Sequence, residues 1–307
     1  MTHMHLVAEP WTDYELLDSG DGEKLERFGA ITLVRPETQA LWSKRRPELW
    51  AGAHATFQSN EGKGVWRMNN AQVRPAKFSG LTCAEGWELS RGPIRFSAKL
   101  TSFKHVGVFP EQEPNWVWIK DRVKGFVVNP TSDVGFTKPH ILNLFGYTGI
   151  ASIVAAQAGA KVTHVDASKQ SLDWAHENAK LTGLPEDAVR WIPDDALAFA
   201  KREARRGVKY DGIILDPPAF GRGPKGEVWH IERDLPALLE VLKELLAETP
   251  GAFFLMSGYA AGYSAYAFAQ LVEGVFGPVE GESGELHIRE SGSDRVVPSG
   301  IYCRFVR

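Results

Sequence analysis

The sequence contains few cysteines, two in 307 residues. Cys83 and Cys303 are too few for a disulfide scaffold, and they suit a reducing cytosol. The chain has no run of about 18 apolar residues, so we expect no membrane-spanning helix. Its amino terminus lacks a basic region followed by an apolar stretch, so we expect no signal peptide. These absences favour a cytoplasmic protein.

Three common site motifs are also missing. The turn at 145–149 reads Phe-Gly-Tyr-Thr-Gly, whereas a dinucleotide site requires Gly-x-Gly-x-x-Gly after its first strand. Residues 221–226 are basic and rich in glycine, but they lack the Gly-Lys-Ser/Thr ending of a phosphate loop. His3 and His5 lie near a terminus that we expect to fray, and no other spacing indicates a metal. We therefore expect no metal.

Charge is distributed unevenly along an ordinary globular composition of 43% hydrophobic and 24% charged residues. The net charge is −3. The segment from Lys24 to Lys104, however, contains 14 Lys and Arg but only 6 Asp and Glu, an excess of eight positive charges. The rest of the chain therefore has a net charge of −11. Such asymmetry suits a polyanion partner. Chance unevenness explains it equally well.

Two regions with different patterns divide the chain. Residues 1–112 alternate short β-like runs with Gly and Asn, for example at 64–70 and 94–100, which predicts a small β-rich, antiparallel domain for substrate recognition. Residues 113–307 alternate apolar strands with helices. That alternation predicts an α/β fold with a doubly wound, mostly parallel sheet. The predicted strands are 141–145, 162–165, 189–192, 213–215 and 252–256, with a terminal hairpin at 285–288 and 301–306.

Polar residues follow four of these strands. They are the segment from Asn143 to Gly149, Asp166, the pair Asp194 and Asp195, and Asp216. The carboxyl ends of parallel strands share one edge of a sheet, so these groups converge on one crevice. Any one of them alone can be a helix cap. Four in order predict a ligand site.

S-adenosylmethionine fits this crevice. Backbone N–H groups of 145–149 and a helix amino end can meet the charged tail of the ligand. Asp166 can accept hydrogen bonds from both ribose hydroxyls, and Asp195 can accept from the adenine amino group. A nicotinamide cofactor shares the acidic residue but requires the glycine pattern that is missing here.

The stretch 210–220 ends a buried strand on Asp216, followed by Pro217 and Pro218. Neither proline has an N–H, so the sheet ladder stops there. An aspartate on a stiff backbone thus stands at the binding edge. A plain transition from strand to loop is the alternative interpretation.

Four motifs together resemble class I S-adenosylmethionine-dependent methyltransferases: 142–149, 165–168, 194–196 and 216–220. The nearest subgroup is the bacterial large-subunit ribosomal RNA methyltransferases that modify cytosine at carbon 5 or guanine. The resemblance runs from about Phe103 to the end, and 109–112 stands where that subgroup has Phe/Tyr-x-Asp-Gln beside the cofactor. It implies a seven-stranded methyltransferase sheet. It also implies a cofactor site formed by Gln112, Asn143, Phe145, Gly146, Tyr147, Thr148, Gly149, Asp166, Ala167, Ser168, Asp194, Asp195, Ala196 and Asp216.

Two departures from that subgroup bear on the substrate. We find no small amino-terminal RNA-binding module, and 254–258 has no cysteine where the carbon-5 enzymes have one after the fifth strand. Attack by carbon 5 of a pyrimidine needs a thiolate that adds at carbon 6. Cys83 falls in the front domain and Cys303 in the last strand, so neither is well placed. Carbon-5 chemistry is therefore disfavoured.

A nitrogen acceptor on RNA, ribosomal RNA by resemblance, is the favoured target. The catalytic set is Asp216, Pro217, Pro218 and Phe220: the carboxylate and the Pro217 carbonyl accept from the target amine, and the Phe220 ring stacks on the base. Arg222 and Lys225 either meet a phosphate or lie on a solvated loop, and Phe220 can instead pack beneath its own loop. A small molecule or a protein remains an alternative substrate, and a cofactor-binding module without catalysis is a third hypothesis.

Overall fold

The structure is a computed structural model that describes residues 1–60, 63–69, 86–128, 138–259 and 262–307. Asn70 and Cys83, which figured in the sequence analysis, lie outside these residues. The described residues form two compact units. The front unit comprises Val7–Glu113 and His287–Ser299, and the back unit comprises Met1–Leu6, Pro114–Leu286 and Gly300–Arg307. The sequence predicts a division at residue 112, but Met1–Leu6 groups with the back unit and His287–Ser299 with the front unit. The predicted division stays a prediction.

Short strands dominate the first hundred residues, and helices alternate with strands afterwards. The strands are β1 (Thr2–His3), β2 (Leu6–Ala8), β3 (Tyr14–Gly20), β4 (Glu23–Phe28), β5 (Ile31–Pro36), β6 (Ala55–Asn60), β7 (Lys63–Met68), β8 (Trp87–Arg91), β9 (Ile94–Ala98), β10 (His140–Leu144), β11 (Lys161–Asp166), β12 (Val189–Pro193), β13 (Gly212–Leu215), β14 (Phe220–Arg222), β15 (Val228–His230), β16 (Phe253–Gly258), β17 (Gly281–Arg289) and β18 (Val296–Val306). The helices are α1 (Pro47–Trp50), α2 (Glu113–Val128), α3 (Ile150–Gln157), α4 (Lys169–Thr182), α5 (Ala196–Arg205), α6 (Ile231–Leu245) and α7 (Ala265–Phe276), and Pro110–Gln112 forms a 3-10 turn. In the described ranges, no helix has the length and apolar character that a membrane crossing requires.

The main sheet of the back unit has the strand order β1-β17-β18-β16-β13-β10-β11-β12. Strands β16, β13, β10, β11 and β12 are parallel neighbours, and β18 runs antiparallel to β16. Seven of the strands in this order, from β17 to β12, form the predicted sheet, and the short β1 extends it. The order reverses after β12, since β13 returns to the other side of β10. The predicted doubly wound α/β fold is therefore confirmed.

Local sequence explains the ends of these elements. All four residues of β13 are buried, as expected for a central parallel strand covered on both faces. Ser168 caps α4 by accepting from Ser171 N, and Asp195 caps α5 by accepting from Ala198 N. Gly183 ends α4 with a left-handed φ of 78°. The helices thus begin next to the strand ends that carry the predicted site.

The front unit contains a five-stranded sheet, ordered β3-β4-β5-β6-β7, and a separate hairpin of β8 and β9. The strand pairs in both are antiparallel except β5 with β6, which is parallel. The β-rich character predicted for this region is confirmed. The parallel pair differs from the prediction because a longer connection, containing α1, joins β5 to β6 and allows a crossover.

A buried ion cluster lies inside the front unit. The carboxylate of Glu26 accepts from Arg35 Nε at 2.7 Å and from the Tyr14 hydroxyl at 2.8 Å. Lys24 lies 3.3 Å from Glu37 and 3.8 Å from Glu26, and all five side chains are buried. Burial raises the pKa of Glu26, but the opposing charges of Arg35 and Lys24 outweigh it and lower the pKa to about 2. The Glu26 carboxyl is thus ionised at neutral pH.

This pairing changes how the positive excess is interpreted. At least six of the Lys and Arg residues between 24 and 104 form ion pairs within the front unit. Three of their partners, Glu15, Glu23 and Glu113, lie outside that window of the sequence. These three carboxylates offset three of the eight excess positive charges within the unit.

Replacing Glu26 with Gln tests the cluster. The change leaves the buried Arg35 guanidinium without its charge partner, which should lower the free energy of unfolding by about 3–5 kcal/mol at pH 7 in urea. Because the pKa of Glu26 falls from 4.5 to about 2 on folding, its stabilisation is present above pH 4.5 and is lost as the pH falls through about 2. The gap between wild type and variant should shrink over that range.

Glu15→Gln is the matched control, because its pair with Arg27 is partly exposed and should contribute less than about 1 kcal/mol. Equal losses in the two variants would show that burial of the cluster does not matter.

Candidate active site at the carboxyl ends of the strands

Four strands of the back unit end in one row. Leu144 pairs in register with both Val165 and Leu215, and Val165 pairs with Ile192. The next residues of these strands are Phe145, Asp166, Asp216 and Pro193. Since neighbouring strands lie about 4.8 Å apart, the polar groups predicted from the sequence meet along one short edge.

The loop 145–149 joins the end of β10 to α3 in a constrained shape. Phe145 has a φ of 55° and Tyr147 a φ of 50°, both left-handed and each costing about 1 kcal/mol or more for a residue with a side chain. Asn178 Nδ2 donates to Thr148 O at 2.9 Å and helps to hold this shape. Gly149 is the N-cap of α3, without a side-chain cap, and the N–H groups and dipole of such a helix end favour a negatively charged group.

Asp166 fastens this loop to the neighbouring strand. Its Oδ2 accepts from Tyr147 N at 2.8 Å, and its Oδ1 accepts from Ser168 N at 2.8 Å. Burial raises the pKa of this carboxyl, although the two backbone bonds work against the rise. Each carboxylate oxygen can accept a second hydrogen bond, so Asp166 can hold the loop and still accept from a ligand hydroxyl.

The adjacent residues Asp194 and Asp195 make different contacts. Asp194 pairs with Arg202, and its Oδ1 accepts from Asp195 N at 2.9 Å. Asp195 Oδ1 accepts from Ala198 N at 2.8 Å and so caps α5, whose first residue is Ala196. Among the described residues, Asp195 Oδ2 has no protein donor. That oxygen can accept from an amino group, whereas Asp194 is already engaged.

Asp216 follows β13 and lies half-buried at the same edge. Burial raises the pKa of its carboxyl to about 6, and a hydrogen bond with the buried Ser257 opposes the rise. The pKa therefore lies close to neutral pH, as it does in many groups that exchange protons.

A two-stranded hairpin, β14 with β15, carries the next part of the acceptor segment. Phe220 is 51% exposed, and its ring meets the edge of the His230 ring at 5.1 Å. The buried Trp229 donates from Nε1 to Pro218 O at 2.7 Å and packs against Phe145, with ring centroids 4.9 Å apart. Trp229 thus connects the loop 145–149 with the Asp-Pro-Pro segment.

A family model of S-adenosylmethionine-dependent methyltransferases matches residues 11–262. The chain belongs to this family. Its cofactor is S-adenosylmethionine, and the row of acceptors beside a helix amino end fits such a ligand.

Solved structures agree with this membership. A methyltransferase from Agrobacterium tumefaciens, titled SAM dependent, is 41% identical, with a TM-score of 0.87 over 99% of this chain and 95% of that one. A putative methyltransferase from Streptococcus mutans shares the fold, with a TM-score of 0.70 at 18% identity over 96% of this chain and 75% of that one.

Curated relatives match the methyltransferase over a shorter region. Ribosomal RNA large subunit methyltransferase K/L of Shewanella frigidimarina is 34% identical over 155 residues, 50% of this chain and 20% of that protein. The protein of the same name from Stutzerimonas stutzeri is 33% identical over 174 residues, 56% of this chain and 22% of that protein. The chain thus spans about a fifth of the length of these relatives.

The other residues predicted to bind the cofactor lie on different elements of the structure. Asn143, on β10, is buried and donates from Nδ2 to Ser152 Oγ at 2.9 Å. Ala167 and Ser168 follow Asp166 at the crevice edge, and Gln112 belongs to the front unit. Their predicted contacts with the cofactor stay predictions.

Sequence reasoning missed two residues that contact the candidate site. Trp229 gave one weak signal, a tryptophan in an otherwise polar loop. Ser257 gives no signal in the sequence beyond the absence of cysteine, yet its hydroxyl forms a hydrogen bond with Asp216. Neither role was visible from spacing, because both depend on segments that are distant in sequence.

Replacing Asp166 with Ala removes two backbone anchors of the loop together with the predicted ribose acceptor. Hydrogen bonds to a charged group contribute about 1.5–3 kcal/mol each, so calorimetry should show cofactor affinity at least about 30-fold weaker. Asp173→Ala on α4 is the control, because that carboxylate is exposed and pairs with the exposed Lys169. Unchanged affinity in Asp166→Ala would contradict the assignment.

Proposed function

We propose that this methyltransferase transfers the methyl group of S-adenosylmethionine to a base nitrogen of RNA, specifically ribosomal RNA. The observation that carries the proposal is the acceptor segment 216–220. It combines a half-buried carboxylate whose pKa is about 6 with an exposed phenylalanine ring four residues later. The carboxylate can accept a hydrogen bond from an amine, and the ring can stack on a base. Both contacts suit a nucleobase that has been flipped out of a helix.

The acceptor segment offers two hydrogen-bond acceptors to an amine. Asp216 is mostly ionised at pH 7.5, because its pKa lies near 6. Trp229 already occupies the carbonyl of Pro218, whereas in the described residues the carbonyl of Pro217 has no such donor. A bound cofactor supplies an activated methyl group on its sulfonium, so the protein mainly has to orient the nitrogen and accept its proton.

The cofactor residues of the proposal follow the row of strand ends. The loop 145–149 and the amino end of α3 receive the charged tail, and Asp166 accepts from the ribose hydroxyls. Asp195 accepts from the adenine amino group through Oδ2. Support comes from the shared register of the strands and from the acceptor capacity left on both carboxylates.

Methylation at carbon 5 of cytosine has less support. That reaction needs a thiolate within reach of the base. In the described residues the sole cysteine is Cys303, which lies buried on β18 opposite Met256. Burial raises the pKa of its thiol to about 12, so it stays protonated. The carbon-5 enzymes are expected to have a cysteine just after the strand that corresponds to β16. Here β16 contains Ser257, whose hydroxyl forms a hydrogen bond with Asp216.

The choice of RNA rests on similarity and on exposed groups. The relatives named ribosomal RNA large subunit methyltransferase K/L are 31–35% identical over about half of the chain. On the hairpin, Arg222 and Lys225 are exposed near Phe220 and suit phosphate contacts. A cytoplasmic location, where ribosomes are assembled, goes with this substrate.

A small molecule or a protein is the second candidate substrate. The observation that favours it is the internal pairing of front-unit cations with Glu15, Glu23 and Glu113, which offsets three of the eight excess positive charges and weakens the charge argument for a polyanion. The two candidates differ in what they require of Phe220, because a base stacks on an aromatic ring, whereas a protein side chain without a ring or a non-aromatic small molecule does not.

The substrate is tested with ribosomal RNA from a strain that lacks the gene. We expect methyl transfer from labelled cofactor to this RNA, with the label on a ring or exocyclic nitrogen when nucleosides are analysed by mass spectrometry. RNA from the wild-type strain should accept little, because its site is already modified. A product at carbon 5, or transfer to small molecules alone, would overturn the proposal.

Phe220→Ala should raise the KM for RNA by about tenfold or more, since stacking on an aromatic side chain contributes about 1–3 kcal/mol per base. Cofactor affinity should not change. Val228→Ala is the matched control, because Val228 is an exposed residue of the partner strand β15. Equal KM values for the two variants would show that the ring does not contact the base.

Asp216→Asn should separate activity from stability. The variant should lose at least about 100-fold in kcat, the usual contribution of a general base. In wild type, kcat should rise with pH around an apparent pKa near 6, as Asp216 ionises. A flat profile between pH 5 and 7.5 would contradict the role of the carboxylate.

The same variant should be more stable than wild type at pH 8. Because folding raises the pKa of Asp216 from 3.8 to about 6, its contribution to stability is present below pH 3.8 and is lost as the pH rises through about 6. Asparagine does not titrate, so the variant should gain on the order of 2 kcal/mol at pH 8 and almost nothing at pH 4. Urea unfolding at the two pH values measures the difference.

A further inference from the structure

A buried hydrogen-bonded chain lies beneath the loop 145–149. Asn143 Nδ2 donates to Ser152 Oγ at 2.9 Å, and Ser152 Oγ lies 2.9 Å from His164 Nδ1. These residues belong to β10, α3 and β11, the three elements that surround the loop. His164 is 0% exposed. These two hydrogen bonds therefore fix the orientation of the His164 imidazole inside the back unit.

Packing alone does not explain a histidine at this position. Among the described residues, His164 Nε2 has no hydrogen-bond partner, although it is buried. Burial also lowers the pKa of the ring to about 3, so the imidazole is neutral at physiological pH. The ring packs against Trp191 at 4.8 Å. An apolar side chain of similar size would fill this space without an unpaired polar atom.

Gly146 lies directly against this imidazole. A Cβ added at Gly146 would lie 2.3 Å from His164 Cε1 and 2.5 Å from His164 Nδ1. The φ of Gly146 lies outside the left-handed region, so close approach, and not backbone conformation, requires glycine here. The imidazole thus sets how closely the middle of the loop approaches the sheet.

The two neighbours of Gly146 need such support. Phe145 and Tyr147 are both left-handed, an unfavourable conformation that surrounding contacts must maintain. Tyr147 N is held by Asp166, and Gly146 N donates to Val165 O at 3.2 Å. These bonds hold the loop from its side, whereas His164 contacts it from below.

We propose that His164 is a positioning residue for the cofactor: its ring, oriented by Asn143 and Ser152, supports Gly146 and holds the loop 145–149 in the conformation that receives the charged tail. The inference rests on the proposed placement of the cofactor on this loop. His164 does not touch the cofactor and takes no part in the transfer of the methyl group.

A double-mutant cycle between Gly146 and His164 tests the contact, with cofactor affinity measured by calorimetry on the full chain. Gly146→Ala should weaken binding by about 30-fold or more, because the new methyl group overlaps the ring and lifts the loop. His164→Ala should weaken it by about tenfold, because the loop loses its support. In the double variant the new methyl group has space, so its Kd should lie within about threefold of that of His164→Ala.

Gly149→Ala is the comparison for this cycle. A Cβ there would lie 2.8 Å from the Cβ of Ala175, and the φ of Gly149 is 82°. His164→Ala should not relieve its loss, because the clash and the strain lie elsewhere. Relief of both glycine variants would point to general loosening of the site and would overturn the proposal.

Ser152→Ala gives a second test that keeps the core intact. It removes the hydrogen bond that orients the ring, and we expect cofactor affinity to fall by about fivefold, as for one neutral hydrogen bond. Thr163→Val is its control. Thr163 is adjacent to His164 on β11, and the change removes a similar hydrogen bond, between the Thr163 hydroxyl and the imidazole of His140. The KM for the cofactor should rise in Ser152→Ala while kcat at saturation stays unchanged.

The outcomes separate the two layers of the argument. If Gly146→Ala binds the cofactor as wild type does, the placement of the cofactor on the loop is wrong. If Gly146→Ala is weakened but the double variant does not recover, the placement stands and the role of His164 is wrong. A fall in melting temperature for Ser152→Ala without a change in Kd would also reduce His164 to a structural residue.

Discussion

The Asp166 carboxylate is the contact on which the rest of the crevice depends. One of its oxygens holds Tyr147 N and the other holds Ser168 N, so one side chain fixes a loop of β10 and the start of α4 together. A loop with two left-handed residues that carry side chains has other conformations of lower local energy. The carboxylate makes the strained one stable before any ligand arrives. Binding then requires little reorganisation, which is the physical content of a preorganised site.

The sequence predicted the sheet well because its strands carry a strong local signal. Runs such as 213–215 are apolar and buried throughout, and glycine or a capping residue marks the ends of α4. Each of these features acts within a few residues, where spacing can be interpreted directly. The hairpin of β14 and β15 was not predicted. Its strands have three residues each and expose polar and apolar side chains alike, so they have no periodicity to detect.

Site residues divide in the same way. Asp166, Asp195 and Asp216 could be selected from the sequence because each follows a strand. Their partners could not: Ser257 is 41 positions from Asp216, and Trp229 meets both Phe145 and Pro218 across a hairpin that the sequence does not reveal. The positive excess of the front region also depends on residues that are distant in sequence. A count along the chain ignores Glu15 and Glu23, which lie outside the window but pair with its cations.

Trp229 has a consequence for the order of events at the crevice. Its ring packs against Phe145, while its indole N–H donates to the carbonyl of Pro218, so one side chain contacts both the loop 145–149 and the segment 216–220. A ligand that steadies Phe145 also steadies this segment. Coupling between two ligands is reciprocal: by whatever factor a ligand on the loop changes the affinity for a ligand on the segment, the second changes the affinity for the first. Under the proposed function, the spent cofactor and the methylated base would each weaken the binding of the other, and release of the two products would be coupled.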